Sequence, residues 1–439
     1  MKQVIRFPQV DGALGWYECS PLRGKIRTRS TLASGTYDVV VIGAGFTGLA
    51  AASRLLEHEP HLKIALVEAL KIGQGTSGRN AGFIIDLPHN LDSGAIDIER
   101  DHQINALNCF AIERLRTASA PYAREVMWHQ AGKYLAAHEL KHLASLSEFV
   151  KVLDAIEAEY EIVEGDALAR RLGTKYYRQA IYTPGNILMN PSALVQSVAL
   201  SIADKVDIYE EMPVRHIQKN GVWEIHLAQG ILKAQRIVSA VNAFTEEFDM
   251  CSNRLAPVFT YASLTRPLSG KELEAFSDVQ PWGLTSAHPA GTTVRFTPDK
   301  RIFIRNSFDF YKSLVSDHAS IARAREQHLK SFNARFPKLA NVPFEFSWGG
   351  MLTMTMNHQS IFFEKEPGLY VIAGCNGVGV AKGTYLGAYM ADYVLGRQSK
   401  ELNFIRNHSS PSWIVPEPLR TVGARIRLAF EERQAQGEV

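Results

Sequence analysis

Three apolar blocks near the start of the chain differ in their period. Residues 39–42 are an unbroken β-branched run, which predicts a strand buried on both faces of a parallel sheet. Residues 49–56 are rich in alanine and leucine and predict a helix, and the short apolar run 64–67 predicts the next strand. Farther on, the spacing of Ile104, Leu107, Ala111 and Leu115 predicts a helix over about 96–119. Leu143, Leu146, Phe149, Val150, Leu153 and Ile156 form the stripe of another over 139–160. Short helices are predicted over 166–172 and, after Asn190-Pro191, over 192–203, with a longer one over 320–336. Strand-like stretches fall at 127–136, 206–209, 214–217, 223–227, 237–245, 255–268, 292–306 and 369–373. Residues 295–305 read as a hairpin turning at Pro298-Asp299-Lys300.

The joints between the first blocks carry chemistry. Gly43, Gly45 and Gly48 place G-x-G-x-x-G between strand and helix. The first glycine permits the tight turn, the second lets backbone approach a pyrophosphate, and the third lets the helix pack on the strand. The second strand ends in Glu68, where an acid can accept from a ribose hydroxyl. Strand, helix, strand and acid in this order predict a dinucleotide site. The loop that follows, 69–83, is rich in small residues around Arg79 and Asn80 and suits close contact with a large planar group. A second glycine turn, Gly374, Gly377 and Gly379, follows the 369–373 strand and opens a helix to about Leu395. Two such turns far apart in sequence point to one extended cofactor held between them.

Composition narrows the class. A length of 439 residues allows two domains sharing one cofactor. The formal net charge of +3 is too slight to argue for nucleic acid or an anionic membrane. Cys19, Cys109, Cys251 and Cys375 lack C-x-x-C spacing, so neither a zinc site nor a disulfide framework is indicated, and no metal is expected. The first residues have no long apolar core, nothing approaches the length of a membrane span, and a cytoplasmic location is the expectation.

On the 37–68 unit, the loop G-Q-G-T-S-G-R-N-A-G after the acid and the turn G-C-N-G-V-G-V-A-K, the chain resembles the D-amino-acid oxidase-like superfamily. The nearest likeness is to its gamma-glutamylputrescine oxidase-like branch, with Ala81 where that branch has glycine. The resemblance implies FAD rather than NAD. It implies a mixed α/β fold, with a Rossmann-like FAD-binding domain of the glutathione-reductase-like type and an interleaved antiparallel-sheet substrate domain. The expected FAD domain is 37–90, 186–250 and 345–400, the substrate domain 91–185 and 251–344. Residues 1–36 form a leader packed on the body, and 401–439 a tail. The residues expected to bind FAD are Gly43, Gly45, Phe46, Thr47, Gly48, Glu68, Ala69, Gly75, Thr76, Ser77, Arg79, Asn80 and Ala81. From later segments come Val214, Asn242, Gly350, Gly374, Asn376, Gly377, Val378, Gly379, Val380 and Ala381. Gly350 aligns with the flavin-linking cysteine of monomeric sarcosine oxidases, so the FAD is expected to be non-covalent. Those enzymes anchor a substrate carboxylate with a lysine after the glycine turn, and Lys382 lies one position off.

The activity the resemblance implies is oxidation of the C–N bond of an amine or amino acid, with hydride passing to the flavin and the imine hydrolysing in water. Oxygen or another acceptor then takes the electrons. Catalytic candidates are Arg79, Asn80, His89 and Trp348. His89 titrates near working pH and can hold or deprotonate an amine, or serve as a loop histidine. Trp348 and Met351 wall the pocket or belong to the core, and Asp86 is a further residue placed near the flavin. Arg295 and Arg305 are candidates for a substrate carboxylate. The partner expected is a small-molecule amine or amino acid, with no nucleic acid and no membrane; the tail, with Arg425, Arg427 and Arg433, docks on the body or on another subunit. Two alternatives stay open: a flavoenzyme of this fold acting on a hydroxy acid or polyol phosphate, and a non-catalytic flavoprotein subunit.

Overall fold

The computed structural model describes residues 3–10, 12–88, 97–311 and 313–439. Two eight-stranded sheets organise it. The first runs in the order Ile361–Glu366, Leu369–Ala373, Gly230–Ser239, Thr36–Ile42, Ile64–Val67, Asp207–Tyr209, and an antiparallel extension of His216–Asn220 and Val222–Leu227 joins at Gly230–Ser239. Thr36–Ile42 is parallel to both neighbours, with Val41 opposite Val238 on one side and Leu66 on the other. Val39, Val40 and Val41 are fully buried, as a run apolar on both faces requires. One face carries the helices Phe46–His58, Ile98–Ser119, Pro191–Ile202 and Gly379–Val394. The other packs on its own antiparallel extension, around Trp223, Ile225 and Tyr209.

The second sheet is mostly antiparallel: Phe344–Met354, Ala256–Thr265, Ile302–Phe310, Thr293–Phe296, Trp282–Ser286, Lys133–Ala137, Gln179–Thr183, Glu161–Glu164. The hairpin turns at the expected residues, with Lys300 at φ +63° between Thr293–Phe296 and Ile302–Phe310. The helix His318–Arg335 backs this sheet, and its buried His328 ring meets Ser263 Oγ over 2.8 Å.

Three boundaries differ from the sequence reading. Phe344–Met354 pairs with Ala256–Thr265 over its whole length, so residues 345–354 lie in the second sheet rather than with the dinucleotide unit. Ile98–Ser119 buries Leu107, Ala111 and Leu115 in the core of the first sheet, away from the segment grouped with it. Val214 lies outside any strand; the strand begins at His216, just after Arg215 N–H donates to the His226 carbonyl at 2.8 Å.

The two ends of the described chain are both tied in. Trp16 is buried between Phe303 and Trp348 and donates from Nε1 to the Asn80 carbonyl at 3.0 Å. Glu438 is fully buried, its carboxylate accepting from the backbone N–H groups of His138 (2.7 Å) and Glu139 (2.9 Å).

Candidate functional site

Between the two sheets lies a cavity of about 1430 Å³. Its floor is the first glycine turn. Gly43 adopts φ +99°, open to glycine, and a Cβ there would meet the Ala240 carbonyl oxygen at 2.7 Å. Gly48 faces away from the cavity, where a Cβ would fall 1.9 Å from the Gly43 oxygen, so it serves the close helix–strand approach alone. The helix Phe46–His58 takes no cap from its own N-cap residue, Gly45, and Gly45, Phe46 and Thr47 line the cavity, so the positive end of that helix faces it. The same holds at the second turn. Gly379–Val394 takes no cap from its N-cap residue, Val378, and Val378, Gly379 and Val380 are on the wall.

Glu68 lies beside the first turn. Its carboxylate accepts from Ala44 N–H at 2.8 Å and Leu70 N–H at 3.0 Å, while burial pushes its pKa up. The small-residue loop wraps the flank. Ala69, Gly75, Thr76, Ser77, Arg79, Asn80 and Ala81 all line the cavity, and Ser77 Oγ accepts from Phe46 N–H at 3.2 Å. Val214, Asn242, Gly350, Asn376, Gly377 and Ala381 complete the same wall. Asn242 and Asn376 pin the second turn. Asn242 Oδ1 accepts from Gly374 N–H, and Asn376 Oδ1 accepts from Thr355 N–H at 2.8 Å.

Several expected roles come out differently. Trp348 does not line the cavity; its ring is sealed against Trp16 and Phe303, and its Nε1 donates to the Arg79 carbonyl at 3.2 Å. It is a core residue behind the loop. Gly374 sits one layer back as well, and Met351 does reach the wall. Asn80 spends its side chain on the loop itself, donating to Ser77 O (2.7 Å) and accepting from Gly82 N–H (2.8 Å). Arg79 lines the cavity while Nε and Nη1 donate to the Gln74 and Gly349 carbonyls, both at 2.8 Å. His89 lies outside the described residues. Asp86 stands behind the wall, with burial raising its pKa.

The two arginines of the hairpin part company. Arg295 is enclosed over the rings of Trp16 and Phe83, and its Nη1 donates to the Ala81 (2.7 Å) and Met189 (2.9 Å) carbonyls. It braces the loop and does not line the cavity. Arg305 does. Its Nη2 donates to Thr293 Oγ1 at 3.0 Å, and Thr293 and Thr260 line the cavity beside it. Burial lowers its pKa to about 10, and among the described residues no acidic group offsets the cost. Lys382 turns away and donates to the His358 carbonyl at 3.2 Å, so the position after the glycine turn supports a loop.

Sequence reasoning missed part of the wall. Val4, Arg6 and Pro8 of the leader, Lys133, and Arg427, Leu428 and Glu431 of the tail all line it. For the leader, aromatic content signalled packing but not where; for the tail, no local signal existed. Among the described residues no helix is long and apolar enough to cross a membrane, and no three metal-binding side chains gather.

The fit to an elongated dinucleotide can be read from the glycines. Gly75 and Gly377 both line the cavity, and a Cβ on either meets nothing within 4 Å, so space stands open in front of both loops. Two helix starts at separate points of one cavity match a ligand with more than one anionic or acceptor group.

Known proteins agree. Over 405 residues, 90% of this chain and 90% of the relative, the chain is 25% identical to a probable oxidoreductase, OrdL, of Haemophilus influenzae. It is 23% identical to the gamma-glutamylputrescine oxidoreductase of Escherichia coli K12, covering 82% and 84% of the two chains. The solved glycine oxidase of Bacillus cereus ATCC 14579 superimposes with a TM-score of 0.70 at 18% identity, over 86% of this chain and 99% of that one. A model of the FAD dependent oxidoreductase family, DAO, matches residues 38–393. The chain therefore belongs to the DAO family of FAD dependent oxidoreductases.

Proposed function

We propose that the enzyme oxidises the C–N bond of an amine that also bears a carboxylate, an amino acid or an N-substituted amino acid. The observation that carries this is Arg305. A half-buried guanidinium facing the cavity, with hydroxyl partners and no carboxylate partner among the described residues, leaves donors arranged for bidentate capture of an anion. That cost of burial is offset when a substrate carboxylate arrives. The names of the relatives, gamma-glutamylputrescine oxidoreductase and glycine oxidase, support nitrogen-bearing substrates.

In this reading FAD lies along the wall from Glu68, which takes the ribose, through the Gly43–Gly48 turn and the loop at Ser77 and Arg79, to the turn at Asn376–Ala381. When bound it supplies the hydride acceptor. The chain's own groups do the rest. The two helix starts favour negative charge on the cofactor, Arg305 fixes the substrate by its carboxylate, and the apolar wall around Met351 keeps the amine desolvated and uncharged. The substrate leaves as an imine, which water hydrolyses to a keto acid or aldehyde and the released amine or ammonia. Attachment is non-covalent, because Gly350 offers no thiol.

The test is anaerobic bleaching of the yellow holoprotein across D- and L-amino acids, N-methyl amino acids, polyamines and 2-hydroxy acids. Reduction by carboxylate-bearing amines, with imine-derived products, is expected. Bleaching by hydroxy acids alone, or only by amines lacking a carboxylate, rejects the reading. Acid precipitation is expected to release all the flavin into the supernatant.

A further inference from the structure

The helix Leu419–Gln434 has an outer face that the body does not cover. Leu419, Val422, Ile426 and Phe430 follow one another at spacings of three, four and four, which places them on one side of a helix turning about 100° per residue. Each is more than half exposed, from 53% to 66%. The opposite side, with Ala424, Leu428 and Glu431, faces the protein. The helix is held firmly there. Buried Arg420 at its start donates to Glu246 Oε2 at 3.0 Å and to the Leu255 carbonyl at 2.9 Å, and Glu432 accepts from Phe308 N–H at 3.0 Å. Just before the helix, Trp413 and Val415 are exposed too.

On the exposed side of the helix itself the charges among the described residues are arginines, while the exposed Glu417 just before it accepts from Thr421 N–H at 3.3 Å. Arg425 and Arg427 flank Ile426 on either side, and Arg433 follows Phe430. Among the described residues Arg425 and Arg433 make no ion pair, while the helix's two glutamates face inward or pair with Arg427. A second copy of the chain is a poor cover for such a face. An antiparallel two-fold pairing of the stripe would bring Arg425 and Arg427, at its centre, against their own counterparts. A surface carrying negative charge over an apolar interior matches both features at once.

We propose that this helix docks the enzyme on a membrane surface bearing anionic lipid headgroups, with Leu419, Val422, Ile426 and Phe430 entering the acyl boundary and the arginines meeting the headgroups. This departs from the expectation of no membrane partner and is independent of the substrate. Since Arg427, Leu428 and Glu431 also line the cavity, docking sets the rim of the cavity against the lipid.

Flotation of the FAD-loaded full chain with vesicles of phosphatidylcholine, with and without phosphatidylglycerol, tests the proposal. Co-flotation with the anionic vesicles, reduced by salt, is expected. The paired change Ile426→Ser and Phe430→Ser is expected to weaken partition about ten-fold or more, and Arg425→Glu to weaken it on anionic vesicles alone, each with an unchanged flavin spectrum. No binding to anionic vesicles, or equal binding by the serine pair, overturns the proposal. So does a concentration-dependent dimer that the serine pair dissolves, since a second copy would then own the face.

Discussion

The backbone N–H of Gly374 donates to Asn242 Oδ1 over 3.0 Å, joining two residues 132 positions apart in the chain. Asn242 opens the helical turn that follows the strand Gly230–Ser239, the parallel neighbour of Thr36–Ile42, and Gly374 begins the second glycine turn. One amide therefore sets the distance between two walls of the cavity. Asn242 adopts φ +47°, so alanine there would add backbone strain to the lost side-chain bonds, to Gly374 N–H and to Cys375 Sγ, whereas glycine removes those bonds without strain. Asn242→Gly is expected to weaken FAD binding by about five- to ten-fold, the worth of roughly 1 kcal/mol. Equilibrium dialysis of the apoprotein measures it, and unchanged affinity refutes the coupling.

The glycines separate into packing and approach positions. Gly48→Ala drives a methyl into the Gly43 carbonyl, backbone that cannot swing aside, and is expected to cost about 3 kcal/mol or more and yield little folded protein. Gly75→Ala meets nothing in the unloaded protein, so the apoprotein should melt within about 1 °C of wild type. Its FAD affinity should fall, because the methyl occupies the space in front of the loop. Differential scanning calorimetry with and without FAD distinguishes the two effects.

Arg305 can be tested apart from folding. Arg305→Met keeps an apolar chain and removes the charge, including its position over the Phe308 ring. The expected result is a rise in KM of about 10²-fold or more for carboxylate-bearing substrates, with FAD content unchanged. Arg295→Met is expected instead to lower stability and flavin content, since Arg295 holds the Ala81 and Met189 carbonyls. A KM effect for Arg295 equal to that of Arg305 would contradict the assignment.

Lys133 gives a pH signature. Burial pulls its pKa down to about 8, below the usual 10.5. Between those values the unfolded chain holds a proton that the folded chain has released, so stability rises as pH rises from 8 to 10.5 and is lost again on the way down. Lys133→Met removes the penalty. The variant is expected to be more stable than wild type at neutral pH by about 1–3 kcal/mol, with the difference closing above pH 10. Urea titrations of the apoprotein across this range measure it, and a difference independent of pH would rule out the titration.

The unit from Thr36 to Glu68 was legible because three independent local rules agree there: β-branched run, glycine spacing, terminal acid. The same agreement made the second glycine turn readable. Arg295 and Arg305 show where such reading ends. They lie on paired strands of one hairpin, with Arg295 opposite Phe303 and Thr293 opposite Arg305. Which is covered depends on Trp16 and Phe83, brought in from distant segments. Trp348 was likewise placed at the site by motif, while its hydrogen bond puts it behind the wall, and Asn80 lines the cavity with its side chain spent on its own loop. The allocation of 345–354 failed because pairing over a whole strand with 256–265 outweighed closeness in sequence to the next element.

Val4 and Glu431 touch the same cavity. On a ribosome those residues appear at opposite times of synthesis, and the second glycine turn comes only some hundreds of residues after the first. A growing chain thus owns half a grip and no enclosure. Both glycine turns, the leader and the tail must be in place before the cavity is enclosed.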